Sequence, residues 1–203
     1  MALRKGILIV FEGIDGSGKS TQVQLLKNRL REMRLPFRSF REPTRGKWGK
    51  KIRQKARRAG SLTPEQELEL FLRDRRENVR RNLRPALAAK KIVLLDRYYF
   101  STIAYQGARG IDPDKIRAAN EEFAVIPDLV FILDLDPRKG LGRIEGRSVR
   151  EAHFEQEERL VKVREIFLGL KGRMFVHLDG GLPADELGRK IFSRVLPLIR
   201  KVS

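Results

Sequence analysis

Lys19 and Ser20 directly follow the last glycine of a short stretch, FEGIDGSGKSTQ (residues 11–22), that could bind a polyphosphate. Its spacing fits GxxxxGK[ST], in which backbone N–H groups cradle phosphates, the lysine reaches the β- and γ-phosphates and the hydroxyl binds magnesium. An apolar run, GILIV, precedes the loop and a helical pattern follows it, so the new helix adds its positive end. We therefore predict a loop that binds the phosphates of a nucleotide, made of Gly13, Ile14, Asp15, Gly16, Ser17, Gly18, Lys19, Ser20 and Thr21.

A second polar pair, Asp96 and Arg97, follows the apolar run KIVLLD. In a parallel sheet, ligands bind at the carboxyl ends of the strands, and this strand should end next to the glycine-rich loop. A carboxylate suits magnesium or its waters, and a guanidinium suits a bidentate phosphate contact. We predict that Asp96 joins Ser20 in a magnesium site and that Arg97 binds a phosphate.

Three further stretches could shape the same crevice. FREPT ends a strand with Glu42-Pro43, a rigid turn, and FLRDRREN places Phe71 and Arg75 four residues apart on one helix face. An aromatic ring can stack on a base while a guanidinium bonds a carbonyl oxygen. Each residue also has an ordinary interpretation: Phe71 as core, Arg75 as a surface ion pair and Tyr105 as helix packing.

The elements that must position these residues alternate along the chain. Five apolar runs, GILIVF, PFRSF, KIVLLD, DLVFILDL and MFVHLD, predict strands, and the first, third and fourth are continuous, as in strands covered on both faces. Helical patterns separate them at 20–33, 47–58, 64–89, 112–123, 154–170 and 183–200. Thr63 is a candidate cap for the third helix, with Pro64 in its first turn. The alternation predicts a doubly wound parallel α/β sheet in one domain, residues 1–203.

Composition narrows the class of protein. The chain has 203 residues, no cysteine and no apolar run near the roughly 20 residues of a membrane span, so we expect a cytoplasmic protein without disulfides. Its net charge of +18 attracts polyanions in general. The basic stretch 45–58 could be a nucleic-acid patch, but no aromatic stacking platform accompanies it, which favours a solvated helix face and makes nucleic acid an unlikely partner.

The segment 142–155 has few apolar residues and carries Arg143, Arg147 and Arg150, with Arg159 just beyond. Phosphoryl transfer needs cations at the transferring group, which favours a short mobile lid over a plain solvated loop.

Together these stretches resemble the thymidylate kinase family of P-loop nucleoside monophosphate kinases. The resemblance covers nearly the whole chain and is carried by FEGIDGSGKSTQ, REPT, FLRDRRENV, DRYYFSTIAYQG, PDLVFILDLDP and the late FE at 154–155. It implies a P-loop NTPase-type α/β fold with five parallel strands in the order 2-3-1-4-5, helices on both faces and a short lid. It also implies ATP-dependent phosphorylation of dTMP to dTDP with Mg²⁺, and a homodimer.

The resemblance also implies residue roles. Lys19 and Ser20 would hold ATP phosphates and magnesium, and Asp15 would contact the acceptor's 3′-hydroxyl and assist the metal. Arg97 and Glu42-Pro43 would form the end that binds the acceptor's phosphate. Phe71 would stack on thymine, and Arg75 would bind a carbonyl oxygen of the base. Thr102 and Gln106 would line the base pocket, and Tyr105 would exclude a 2′-hydroxyl.

Departures from the family pattern affect the phosphate side. The usual REPGGT turn is shortened to REPTRGKWG, and Ala152-His153 replaces an Asp-Arg pair before FE. The P-loop contains no arginine, so the family resemblance assigns charge stabilisation to Arg143, Arg147 and Arg150 of the lid.

Two other functions remain open at this point. A deoxynucleoside kinase would use Glu42 as general base toward a neutral 5′-hydroxyl. A nucleic-acid-directed P-loop enzyme would use the excess positive charge. A GTPase is disfavoured because no Asn-Lys-x-Asp stretch occurs.

Overall fold

Five short apolar runs become the strands of one parallel sheet in the computed structural model, which describes residues 3–56, 62–144 and 150–202, with backbone only at 144 and 150–155. The strands are β1 (Ile7–Glu12), β2 (Phe37–Arg41), β3 (Ile92–Asp96), β4 (Leu129–Asp134) and β5 (Phe175–Asp179). Their order is β2-β3-β1-β4-β5 and every pairing is parallel, so the predicted sheet is confirmed.

Helices cover both faces of this sheet. In chain order they are α1 (Lys19–Glu32), α2 (Lys47–Ala56), α3 (Pro64–Asn78), α4 (Arg84–Ala88), α5 (Tyr99–Gly107), α6 (Pro113–Glu121), α7 (Pro137–Ile144), α8 (Arg150–Gly169) and α9 (Ala184–Lys201). No helix among the described residues is long and apolar enough to cross a membrane.

The central strands are buried on both faces, as their continuous apolar runs predicted. In β1, Leu8 and Val10 belong to one core cluster, which includes α5 and α8, while Ile7, Ile9 and Phe11 belong to the other, which includes α1 and α9. Successive side chains of a strand point to opposite faces, so one apolar run supplies both layers. The register Phe11↔Asp96 brings the ends of β1 and β3 side by side.

The long helix predicted over 64–89 is interrupted. α3 begins as predicted, since Thr63 Oγ1 accepts from Gln66 N (3.2 Å) and Gln66 Oε1 accepts from Thr63 N (3.1 Å). It then widens into a π-helical turn, Val79–Leu83, before α4 begins. The widening comes just before Pro85, which lacks an N–H and cannot continue regular helical bonding.

Two helices were missed by the sequence analysis. α5 is buried on nearly all sides between the sheet and neighbouring helices, and its buried residues include polar ones, so the sequence shows no division into an apolar and an exposed polar face. α7 is short and contains two glycines. The predicted lid, 142–155, is helical at both ends: it includes the last residues of α7 and the first turns of α8, and 145–149 lie outside the described residues.

Candidate active site

The glycine-rich loop runs from β1 into α1 with positive φ at Gly13 (136°), Gly16 (77°) and Gly18 (90°). A Cβ on Gly16 would lie 2.4 Å from the carbonyl oxygen of Gly140, so a larger residue cannot fit there without moving α7. Beside Gly18 nothing lies within 4 Å of the Cβ position. The space at the start of α1, where helical N–H groups have no partner within the helix, is therefore open to a ligand.

Lys19 is buried at the start of α1 and folds back onto its own loop. Its Nζ donates to the carbonyl oxygens of Gly13 (3.0 Å) and Ile14 (2.6 Å) and to Ser17 Oγ (3.3 Å). Burial and the charge of Arg97 lower the pKa of Lys19 to about 7. An anion held in the loop would favour the charged form, so the lysine is placed to respond to a phosphate.

Ser20 and Asp96 meet at the carboxyl ends of the strands. Ser20 Oγ donates to Asp96 Oδ2 (2.6 Å), while the buried Asp96 Oδ1 has no hydrogen-bond partner in the structure. An unpartnered buried carboxylate oxygen beside a hydroxyl fits a hard cation such as Mg²⁺. No group of three or more His, Cys, Asp or Glu side chains that could hold a metal ion occurs among the described residues, so such a cation would take other ligands from phosphates and water.

Arg97 connects the loop to the neighbouring cavity. Its Nη2 donates to Asp15 Oδ1 (2.5 Å), its Nη1 donates to Ser101 Oγ (3.1 Å), and its guanidinium carbon lies 5.3 Å from the centre of the Tyr105 ring. Burial disfavours the ionised form of Asp15, but the charges of Arg97 and Lys19 outweigh burial and lower the pKa of Asp15. The site therefore holds a charged pair where donor and acceptor phosphates would approach each other.

Glu12 is a buried carboxylate behind this pair. It accepts from Tyr98 N (2.7 Å), Ser101 N (3.1 Å) and Ser101 Oγ (2.5 Å), and thus fixes the first turn of α5 to the end of β1. Burial raises the pKa of Glu12 to about 7, although these bonds and Arg97 favour its ionised form. Glu12 was not predicted as a site residue, although an acid within an otherwise apolar strand, directly before the glycine-rich loop, could have indicated it.

A cavity opens beside Arg97, between α3, α5 and the turn after β2. It brings together all the predicted acceptor-binding residues: Glu42, Pro43, Phe71, Arg75, Arg97, Thr102, Tyr105 and Gln106. Asp15, Glu67, Tyr98, Ser101 and Arg159 complete its lining. We refer to it as the acceptor cavity.

Arg75 lies at the centre of a buried polar network in this cavity and is only 1% exposed. It donates from Nε to Glu42 Oε2 (2.7 Å), from Nη1 to Asn120 Oδ1 (2.5 Å) and from Nη2 to Thr102 Oγ1 (3.0 Å). Asn78 Nδ2 donates to the other Glu42 oxygen at 2.9 Å. The surface ion pair considered for Arg75 is wrong, whereas its contact with a base carbonyl stays a prediction.

Tyr105 and Gln106 line the cavity from α5. The Tyr105 hydroxyl lies 3.3 Å from Asp15 Oδ2, and Gln106 Nε2 donates to Glu67 Oε2 at 2.8 Å. Arg109 also pairs with Glu67. One wall of the cavity thus consists of hydrogen-bonded polar side chains, while Phe71 contributes an aromatic ring from α3.

The shortened turn after β2 is held from two sides. Asp74 of α3 accepts from Thr44 N (2.7 Å) and Thr44 Oγ1 (2.6 Å). Arg53 of α2 donates to the carbonyl oxygens of Pro43 (3.1 Å) and Thr44 (2.7 Å). A Cβ on Gly49 would lie 1.8 Å from Thr44 O, so α2 packs directly on this backbone.

A second cavity lies on the other side of the glycine-rich loop. It is bordered by the start of α1, by Arg143 and by residues 180–184 between β5 and α9. Arg143 Nη1 donates to the carbonyl oxygens of Gly16 and Gly180, each at 3.1 Å, and so connects the two loops. The side chains of Arg147 and Arg150 are not among those described.

Several residues of the site escaped the sequence analysis. They are Glu12, Asp74, Asn78, Asn120 and the loop 180–184, and all act through contacts between elements distant in sequence. Asp74 and Asn78 could have been predicted as site residues from their spacing on the helix that carries Phe71 and Arg75. For Asn120 and the loop after β5 no local pattern distinguishes them from ordinary surface residues.

Comparison with known proteins gives consistent results. A family profile described as thymidylate kinase matches residues 11–191. A thymidylate kinase of Akkermansia muciniphila is 48% identical over 188 residues, which cover 93% of this chain and 90% of that protein. A thymidylate kinase of Desulfotalea psychrophila is 43% identical over 201 residues (98% and 99%), and a probable thymidylate kinase of Archaeoglobus fulgidus is 42% identical over 185 residues (91% and 92%).

Proposed function

The chain belongs to the thymidylate kinase family, and on that premise we propose that it transfers the γ-phosphoryl group of ATP to dTMP, giving ADP and dTDP. The observation that carries this proposal is the acceptor cavity, which contains every predicted acceptor-binding residue and adjoins the glycine-rich loop through Arg97 and Asp15.

On the donor side, the glycine-rich loop and Lys19 would hold the ATP phosphates. The second cavity, beside Arg143 and residues 180–184, would take the adenine ring, because it borders the start of α1 on the side away from the acceptor cavity. Arg143 donates hydrogen bonds to two backbone carbonyl oxygens, which supports a role in shaping this end of the site.

Ser20 and Asp96 would hold Mg²⁺. The donor set, a hydroxyl and a carboxylate with an unpartnered oxygen, fits this hard cation. Magnesium bound there would neutralise charge on the ATP phosphates.

On the acceptor side, the side chains would bind and orient a nucleoside monophosphate. Phe71 would stack on the base, and Arg75 and Gln106 would form hydrogen bonds with its edge. Arg97 would bind the 5′-phosphate. Tyr105, whose hydroxyl lies beside Asp15, would exclude a 2′-hydroxyl and so favour deoxyribose. The phosphate is already ionised, so the reaction needs positioning and charge stabilisation rather than a base.

Charge that develops on the moving phosphoryl group would be stabilised by Lys19, by Arg97 and by arginines of the lid. Arg147 and Arg150 are our candidates from the lid. In enzymes where the contribution of such an arginine has been measured separately, the arginine raises kcat by about 10³–10⁵-fold.

The deoxynucleoside kinase alternative depends on Glu42 as general base, and its contacts argue against that role. Both carboxylate oxygens accept hydrogen bonds from the protein, one from Arg75 and the other from Asn78. Burial raises the pKa of Glu42 despite the opposing charge of Arg75, but the residue is only 2% exposed. A hydroxyl would have to displace one of these partners to reach it.

The specificity of the acceptor cavity can be tested with a panel of monophosphates. We expect dTMP to be phosphorylated best, dUMP less well, and the ribose analogue of dTMP and purine monophosphates poorly. The readout is kcat/KM for each acceptor with ATP and Mg²⁺. A purine monophosphate preferred over dTMP would contradict the proposal.

We also propose that the chain forms a homodimer, as the family resemblance implies. Sedimentation velocity at assay concentrations measures this directly, and a monomer under those conditions would contradict it.

A further inference from the structure

The charged side chains of the acceptor cavity are almost fully paired. Asp15 pairs with Arg97 at 2.5 Å, Glu42 pairs with Arg75 at 2.7 Å, and Glu67 pairs with Arg109. In each pair a carboxylate neutralises a guanidinium, so these pairs together add little net charge to the cavity. A dianionic ligand would have to compete with the carboxylates for the same donors.

Arg159 differs from these arginines. It lies on the exposed side of α8 and lines the acceptor cavity, yet it makes no hydrogen bond or ion pair with any residue whose side chain the structure describes. The next arginine along α8, Arg164, is by contrast held by both oxygens of Asp134, at 2.6 and 2.8 Å. Arg159 is therefore the cavity's uncompensated cation among the described side chains.

A monophosphate ester carries a charge of about −1.5 to −2 at neutral pH. Arg97 can meet only part of that charge while it remains bonded to Asp15, because the carboxylate already occupies one of its nitrogens. A guanidinium without a protein partner has no bond to lose, and its planar donors match phosphate oxygens in bidentate geometry. The chemistry that fits Arg159 is thus the phosphate group of the acceptor.

We propose that Arg159 is a specificity-determining residue that binds the 5′-phosphate of the acceptor and so favours a nucleoside monophosphate over the nucleoside. The inference rests on the proposed function, in which the acceptor occupies this cavity. It adds to Arg97 a second phosphate contact, contributed by α8 rather than by the sheet.

Equilibrium binding tests this contact without requiring turnover. We expect Arg159→Ala to weaken dTMP binding by about 10-fold or more, as for the loss of a hydrogen bond to a charged group, and to leave thymidine binding unchanged. In steady-state assays the same variant should raise KM for dTMP and leave KM for ATP unaltered. Arg159→Lys should recover part of the loss, because it restores charge without the planar fork.

Lys162→Ala is the matched control, since Lys162 is an exposed cation on the same helix and does not line the cavity. It should leave both dTMP and thymidine binding unchanged. If Arg159→Ala leaves dTMP binding unchanged, or weakens dTMP and thymidine equally, the phosphate contact is refuted. Failure of the wild-type protein to phosphorylate dTMP would refute the proposed function instead, and binding of dTMP and thymidine would still decide the role of Arg159.

Discussion

Lys19 lies against the carbonyl oxygens of its own loop, and its lowered pKa has a consequence for nucleotide binding. At a pH above about 7 the free protein holds this lysine largely neutral, because burial and Arg97 disfavour its charge. The β- and γ-phosphates of ATP would reverse that preference and raise its pKa. Binding of ATP should therefore draw a proton from solution.

We expect proton uptake on ATP binding to be largest near pH ~8, where the lysine is neutral in the free protein and ATP has no proton left to lose. Titration calorimetry in two buffers of different ionisation enthalpy measures it. Lys19→Met should abolish the uptake and lower kcat by about 10²-fold or more. The same uptake in Lys19→Met would assign the proton to another group.

Glu12 should make stability depend on pH. Its pKa in the folded protein, about 7, lies above the ordinary value of 4.5 for a glutamate in water, so the folded state binds a proton more tightly than the unfolded chain. Its contribution to stability is fully present below about pH 4.5 and is lost as the pH rises through 7.

Glu12→Gln removes this titration and keeps a similar shape, because the amide oxygen can accept from Tyr98 N and Ser101 N and the NH2 group can donate to Ser101 Oγ. We expect the free energy of unfolding of the wild type, measured in urea, to fall more steeply between pH ~5 and ~7 than that of the variant. Glu42, whose raised pKa acts in the same direction, is present in both proteins and cancels in the comparison. Parallel pH profiles would mean that Glu12 ionises in the fold as it does in water.

At the scale of elements, α3 links the part of the acceptor cavity that we propose binds the base to the part that we propose binds the phosphate. It carries Phe71 and Arg75 toward the cavity, and the residue next to Arg75, Asp74, binds the Thr44 backbone and hydroxyl. The turn after β2, which lacks the glycines of the usual family pattern, is thereby fixed to the same helix that carries Phe71 and Arg75.

Asp74→Asn should raise KM for dTMP several-fold and leave KM for ATP unchanged, because an amide cannot accept both hydrogen bonds from Thr44. Glu69→Gln, which removes an exposed ion pair with Arg73 on the same helix, is the control and should have no effect on either KM. Thermal unfolding of both variants shows whether the loss is one of stability. An Asp74→Asn protein with unchanged KM for dTMP would mean that the turn keeps its geometry without this contact.

How far the sequence predicts the structure depends on the range of the interactions involved. The strands were predictable from their apolar runs and the amphipathic helices from their periodicity, because both patterns are local, and the cap at Thr63 was predictable for the same reason. The placement of Phe71 and Arg75 on one helix face followed from their spacing, whereas their meeting with Thr102 and Gln106 followed from the family resemblance. The network of Arg75 with Glu42 and Asn120, the fully buried α5 and the π-helical turn depend on tertiary packing, which no local window contains.

At the scale of the whole molecule, the role of the net charge of +18 has to be tested separately from catalysis. α2 exposes Lys50 and Lys51 on a face that does not line the acceptor cavity. If this face is only solvated, changing both lysines to glutamine should leave kcat and KM for dTMP nearly unaltered.

The same double variant should weaken any DNA binding seen at low salt, because that binding comes from counterion release. Fluorescence anisotropy with a labelled oligonucleotide measures it. Tight DNA binding that survives ~0.2 M salt would favour the nucleic-acid-directed enzyme.

The central claim is that the acceptor is a nucleoside monophosphate, and direct competition between acceptors tests it. Thymidine, dTMP and a 5′-hydroxyl oligonucleotide are supplied together at equal subsaturating concentrations, with ATP labelled in its γ-phosphoryl group and Mg²⁺. The account predicts that the label appears in dTDP, with kcat/KM for dTMP at least ~100-fold above that for thymidine, because Arg97 and Arg159 have a phosphate to bind only in dTMP. Label appearing chiefly in dTMP formed from thymidine, or in the oligonucleotide, would contradict it.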